Sequence, residues 1–285
     1  MEAIRKYLVY GTAVLLSLLS LCACSSDDDS EGLEVIGKPM TFDISFAGDI
    51  GEGRTRAATA LSTDRKVYIS TDAGKTFYEY GYNTSSGLWE AEKKYNPVTE
   101  AWETTDGIIW TSSSMIIYAL AFVDNRKMVN GSTTVEINAD QTTEAALNQS
   151  DFYGVVTPVT YTTGKVSLTL QHQVGRLQVE VTNCKSPSTM TCQLATARYT
   201  VGTVTVGNER IEVTSQNTAG TIMFYRKATT STTATFVANI FELGNLAGNV
   251  TIVDDGNTYN AAIQTRGGLA VDPGYITQIN VRLLN

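Results

Sequence analysis

Lys38-Pro39-Met40-Thr41-Phe42-Asp43-Ile44-Ser45-Phe46-Ala47 alternates apolar with polar residues, with Met40, Phe42, Ile44 and Phe46 falling on one side. A period of two puts those four side chains on one face of an extended chain, which predicts a half-buried β-strand over 38–47. The pattern then breaks. From Gly48 to Ala60 the chain carries three glycines together with Arg54 and Arg56. Such a stretch reads as an exposed loop whose basic residues are open to proteases.

Upstream of the strand, Ser25-Ser26-Asp27-Asp28-Asp29-Ser30-Glu31-Gly32 is polar and acidic and cannot bury a core, so 24–37 reads as a flexible tether. Before it, Arg5 and Lys6 precede an apolar run from Leu8 through Leu21, too short to span a bilayer stably, and residues 1–23 read as a secretory signal. Leu21-Cys22-Ala23-Cys24 has the form of a bacterial lipobox, with a small residue before the cysteine that is acylated. Cys22 follows the bulky Leu21, so Cys24 is the expected lipidation site. Two or more acyl chains such as palmitate, at about 0.8 kcal/mol per buried CH₂, make a durable anchor that is not a transmembrane helix.

Downstream, candidate strands recur at short intervals: Val67–Ser70, Thr76–Tyr82, Leu88–Glu90, Met115–Val123, Thr133–Ile137, Phe152–Val156 and Val166–His172. A second set runs Leu177–Val181, Gln193–Tyr199, Thr203–Val206, Arg210–Thr214, Thr221–Tyr225, Thr235–Phe241, Val250–Val253, Thr258–Gln264 and Tyr275–Leu283. Tight-turn dipeptides, Gly207-Asn208 and Asp255-Gly256, sit between strand pairs. Thr, Ser, Val, Gly and Tyr are abundant and no long helical period appears, so the fold class is all-β. Roughly 250 residues beyond the tether suffice for two domains, and the strand spacing predicts two β-sandwiches in tandem, over 38–174 and 175–285.

The whole chain has 21 basic and 29 acidic side chains, and without Glu2, Arg5 and Lys6 the balance is 19 to 28, a net charge of −9. An acidic chain with no basic stripe is not built for nucleic acid. Beyond Cys24 only Cys184 and Cys192 remain; in an oxidising compartment they either close a hairpin loop or stay as free thiols. Zinc would need two more ligands, and the chain has one histidine.

That histidine, His172, ends the strand pattern Leu168-Thr169-Leu170, where a packed or surface imidazole is a simpler reading than a catalytic base. Ser70-Thr71-Asp72-Ala73-Gly74-Lys75-Thr76-Phe77 resembles the Asp-box of sialidases, but nothing recurs at a blade period, so it reads as a hairpin turn and only weakly as part of a glycosidase. Gly74-Lys75-Thr76 matches the end of a phosphate loop, whose earlier glycine is here Ile69. Asp254-Asp255-Gly256-Asn257 reads as a turn before it reads as a calcium site. Tyr78, Tyr80, Tyr82, Trp89, Trp102 and Trp110 are able to stack on sugar rings, though cross-strand aromatic packing accounts for them more simply. No catalytic residue, metal or cofactor is expected.

Asp151-Phe152-Tyr153-Gly154-Val155, Val166 through His172 continuing into Leu177–Val181, and the late Pro273-Gly274-Tyr275 resemble the fimbrillin-like family of Bacteroidales, type V pilins and their minor subunits. Thr55-Arg56-Ala57 is similar to that family's maturation loop, and the acidic run after Cys24 looks like the export tag of surface lipoproteins in the same phylum. The resemblance implies transthyretin-like sandwiches, an outer-membrane lipoprotein, and cleavage after Arg56 with Arg54 as alternate. It also implies joining to other fimbrial subunits by strand donation. Met40, Phe42, Ile44 and Phe46 would then belong to a strand that leaves, and Tyr275, Ile279, Val281 and Leu283 to one at an edge or donated. The chain stops soon after Tyr275, which leaves open whether it gives a strand, as a stalk subunit must, or only receives one, as a tip would. The rival expectation is an uncleaved surface lipoprotein, acting as a fimbrial anchor or as an adhesin for a glycan or host protein.

Overall fold

The computed structural model describes residues 35–48, 65–124, 127–197, 200–207, 210–216, 220–241, 248–263 and 270–284. Cys24, Arg54 and Arg56, with the signal and tether segments, lie outside the described residues.

In chain order the elements are β1 (Phe42–Phe46), β2 (Lys66–Ser70), β3 (Tyr78–Asn83), β4 (Leu88–Asn96), β5 (Ala101–Glu103), β6 (Ser114–Phe122), β7 (Ser132–Glu136), the short helix α1 (Glu144–Gln149), β8 (Phe152–Thr160), β9 (Val166–His172) and β10 (Gly175–Thr182). They continue with β11 (Thr191–Ala197), β12 (Val201–Gly207), β13 (Arg210–Gln216), β14 (Gly220–Met223), β15 (Tyr225–Thr229), β16 (Thr233–Ile240), β17 (Gly248–Asp254), β18 (Asn257–Ile263) and β19 (Ile276–Arg282). The all-β expectation holds. Strand β9 shows the logic at its simplest: Val166, Leu168, Leu170 and His172 are buried while Ser167, Thr169 and Gln171 face water.

The first sheet runs β1-β9-β8-β6-β2-β3-β4-β5, and β1 also meets β4 through Phe42 opposite Trp89. That contact turns a row of strands into a barrel-like ring, where open layers were expected, and it covers the free side of β1, while β5 stays at the margin beside β4. Three smaller sheets follow, ordered β15-β16-β10-β19, β14-β11-β17-β18 and β13-β12-β7. Strand β7 leaves the first part of the chain to pair with β12, Thr134 opposite Thr203.

Strand β6 reads as a nearly unbroken apolar run because it separates two cores. Met115, Ile117, Ala119 and Ala121 point into the ring with Phe42, Ile44, Phe46, Val67, Leu168 and Leu170. Tyr118, Leu120 and Phe122 point the other way, into a core shared with Leu177, Val179, Phe236, Phe241 and Val250. A strand buried on both faces loses the alternation that marks a half-buried one.

Turn chemistry fixes the hairpins. Asp255 at φ 50° and Gly256 at φ 76° join β17 to β18 in the doubly left-handed form that matches strand twist. In the Asp72 turn between β2 and β3, one carboxylate oxygen accepts the Thr76 N–H at 2.9 Å and the Ser70 hydroxyl at 2.8 Å. Gly74 there sits at φ +83°, and a Cβ on it would lie 2.9 Å from the Val206 Cβ, so the turn is packed against β12.

Candidate functional site

The first strand is held on both sides. Along one side it runs parallel to β9 from Phe42 opposite Val166 to Phe46 opposite Leu170, and the ladder extends past both ends: Val166 N–H donates to Thr41 O and Ala47 N–H to Leu170 O, each at 2.8 Å. Along the other, the Trp89 indole N–H donates to the Ile44 carbonyl at 3.3 Å. Just upstream, Met40 N–H donates to Ile108 O at 2.8 Å and Trp110 N–H to Lys38 O at 2.9 Å. Phe42 meets Tyr80 edge-on at 5.1 Å, and Phe46 meets Tyr153 at 5.4 Å. Met40, Phe42, Ile44 and Phe46 are all buried, so each contributes roughly 1.5–3 kcal/mol of apolar transfer.

The end of that strand reaches a buried polar cluster. His172 is 6% exposed and its ring lies 4.5 Å from that of Tyr153. Its Nε2–H donates to the Gly48 carbonyl at 2.5 Å, while Nδ1 lies 2.6 Å from Asp151 Oδ2. The Arg65 guanidinium sits over the Tyr153 ring, 5.3 Å from its centroid. Burial penalises the imidazolium, and Arg176 opposes it too. The Asp151 hydrogen bond and charge, with the Gly48 carbonyl, outweigh both and move His172 above its ordinary pKa. Burial, then the Asp151 charge, pushes the Tyr153 phenol upward, and burial pulls Arg65 down. His172 was expected to be packed or exposed; it is packed, and its partners come from sites distant in sequence.

The last strand is placed differently. Strand β19 lies at the margin of its sheet and, among the described residues, pairs in parallel with β10 alone, Arg176 opposite Ile276 through Thr182 opposite Arg282. Thr277, Ile279 and Val281 are half-buried while Gln278, Asn280 and Arg282 are exposed; Leu283 is 2% exposed and Tyr275 is 57% exposed.

Cys184 and Cys192 are free thiols, both buried, so the bridge weighed for them is not made. The Cys184 thiol points at the Val181 carbonyl, 3.3 Å away, and burial raises both thiols above their ordinary range, which suppresses thiolate chemistry. Asp254 spends its two oxygens on the Lys185 and Ser186 N–H groups, at 2.7 and 2.8 Å. The aromatic residues mostly pack on one another: Tyr82 with Trp89 at 5.6 Å, Tyr95 with Trp102 at 5.6 Å and Trp110 with Tyr161 at 5.3 Å. Burial pushes the Tyr80 phenol up to about 12, and its oxygen accepts the Ile108 N–H. A cavity bounded by Phe122, Glu136, Ser150, Asp151 and Phe241 measures about 20 Å³. That is room for a single water molecule, far below the several hundred Å³ of a small-molecule pocket.

No protein-family model matches the chain, and no curated protein matches it. Solved structures do. A proposed cell adhesion protein from Bacteroides ovatus aligns over 86% of this chain and 92% of its own at 13% identity, with a TM-score of 0.60. Another from Bacteroides uniformis covers 86% and 93% at 14% identity and a TM-score of 0.51. The fimbrial anchor protein Mfa2 from Porphyromonas gingivalis covers 86% and 90% at 11% identity, with a TM-score of 0.41, an overlay too loose to argue from. The two neighbours that overlay well are both proposed cell adhesion proteins of Bacteroides, and at 13% and 14% identity the likeness is one of fold.

Proposed function

We propose that this chain is a non-enzymatic structural subunit, stalk or tip, of a surface fimbria. It is exported as an outer-membrane lipoprotein through Cys24, cut after Arg56 or Arg54, and joined to other subunits by strand donation. Residues 38–174 and 175–285 form two tandem transthyretin-like β domains docked through β7 and β12. The observation that carries the reading is the seat of β1. A short strand, with Met40 just before it, fills a groove with four buried apolar side chains, and the sequence that follows it carries Arg54 and Arg56. Once cut there, β1 has no covalent tie to the fold. Its departure exposes apolar side chains and the unpaired backbone of β9, a surface that a partner's strand relieves. The likeness in fold to cell adhesion proteins supports the same reading.

The test is Arg54→Ala with Arg56→Ala, read as polymer on the cell surface. The double mutant should stay monomeric; assembly equal to wild type overturns the reading. One observation favours the second, an uncleaved anchor or a glycan- or protein-binding adhesin: β1 completes the ring, so its loss opens the first core. Mass spectrometry of protein released from cells separates the two. A start at Ala57 means a polymerising subunit, and acylated Cys24 on every copy means an anchor or adhesin.

A further inference from the structure

Gly48 and Arg65 are the described residues on either side of segment 49–64, and both meet at His172 and its neighbours. The imidazole stands between two acceptors. A carbonyl oxygen has no proton to give, so Nε2 must be the donor to Gly48. That leaves Nδ1 facing a carboxylate oxygen at 2.6 Å, a distance at which a proton must lie between the two atoms. Without it, two lone pairs face each other inside a site where both side chains are more than nine-tenths buried.

We propose that His172 is a proton-dependent clamp. Doubly protonated, it donates to Asp151 and to the Gly48 carbonyl at once, which fastens the end of β1 to β9 and keeps Asp151 and Tyr153 set beneath Arg65 at the start of β2; the neutral ring has a single N–H, so on losing a proton it gives up one of the two contacts. Among the described residues, the groups bearing on the imidazole come from four places in the chain. Asp151 and Tyr153 come from the start of β8, Arg176 from β10, and the Gly48 carbonyl from the end of β1; Arg65 acts on the first two. Asp151 alone among these is an anion, and it favours the proton. Arg176 disfavours it.

The sign follows from linkage. A histidine whose folded pKa is raised binds its proton more tightly when folded than when unfolded. The clamp therefore contributes fully below the unfolded value of about 6.5 and is lost as pH rises through the folded value. The device stands whether or not the chain polymerises.

His172 is the sole histidine in the chain, so its titration is readable without assignment. The experiment follows the imidazole by NMR and amide exchange by mass spectrometry across pH 5 to 9, on the full chain in detergent, with intrinsic exchange rates divided out. In wild type the imidazole should titrate above the free-histidine value. Protection of the Ala47 region or of the start of β2, whichever contact the neutral ring gives up, should fall over the same interval, by up to about tenfold per pH unit, while β10 and β16 do not follow. His172→Gln keeps an N–H donor and cannot titrate, so its protection should be flat with pH. Asp151→Asn should bring the imidazole to or below its free value. A wild-type imidazole titrating at or below the free value, or a His172→Gln profile with the wild-type slope, overturns the clamp. Should His172→Gln not fold, the wild-type and Asp151→Asn titrations decide alone.

Discussion

The first and last strands among the described residues are both short and both paired in parallel with a neighbour, yet they are held in opposite ways. Strand β1 is enclosed, with β9 on one side, Trp89 of β4 on the other and its apolar face sealed in a core. Strand β19 has β10 on one side and, among the described residues, no strand on the other, and its inward face is only half covered until Leu283. Parallel pairing does not by itself say how firmly a strand is bound. Burial does, and it makes β1 the costly strand to remove and β19 the free edge.

The broadest way to break that contrast is deletion. Removing 35–47 strips four buried side chains from the ring, an upper estimate of about 6–12 kcal/mol, comparable to the whole stability of a domain. The truncated chain should fail to remain a soluble monomer, and a peptide of residues 38–47 added in trans should restore a cooperative melt. Removing 275–285 should leave a folded chain with a lower Tm. If the chain lacking β1 melts within a few degrees of the intact one, the enclosed strand is not a structural member.

Single side chains sharpen it. Phe42→Ala should cost about 3–5 kcal/mol in chemical unfolding, since the ring against Tyr80 leaves a cavity that the enclosed site cannot collapse. Ile279→Ala, at a half-covered position on β19, should cost about 1–2 kcal/mol. Equal losses at the two sites would erase the distinction.

How much of this was legible in the sequence follows from the same physics. Strands β1 and β9 were readable because one face is buried and the other wet, so alternation records the fold directly. Strand β4 was expected only over Leu88–Glu90 and runs to Asn96, because Glu90, Glu92, Lys93 and Lys94 leave both faces mostly exposed and no burial pattern marks its end. Strand β8 continues past Val156 through Pro158. A proline is tolerated there because the pairing with β9 stops at Gly154 and the missing N–H disturbs no ladder on that side. Helix α1 has a single buried residue, Leu147, too little for a helical period, although Thr143 caps it by accepting the Ala146 N–H. The expected strand over Thr221–Tyr225 divides at Phe224, where β14 and β15 join different sheets. Ring closure through Trp89 and the union of Gly48, Arg65, Asp151 and His172 depend on sheet register, which no local pattern carries.

A smaller effect tests the closure itself. Trp89→Phe keeps an aromatic ring beside Tyr82 and Phe46 but removes the N–H that reaches Ile44, and it should cost about 1 kcal/mol. Faster amide exchange should be confined to 42–46 and β4. Loosening spread evenly over the ring would mean that the contact does not act as a seam.

The smallest expected effect on stability is the most informative about the free edge. Tyr275 is 57% exposed and precedes β19, whose outer backbone meets no other strand among the described residues. Its side chain contributes little to the monomer, so Tyr275→Ala should leave the melting transition within about 0.5 kcal/mol of wild type. A large exposed aromatic beside an unpaired strand edge is also what an added strand would cover, since backbone pairing and a ring stacked across it act together. Under the fimbrial reading the variant should therefore melt like wild type and yet form fewer or shorter polymers on detergent gels. The two readouts separate the roles. A loss of polymer with a matching loss of stability would make Tyr275 an ordinary structural residue. Full polymer with full stability would remove this margin of β19 from the joining surface and leave the seat of β1 as the only proposed point of assembly.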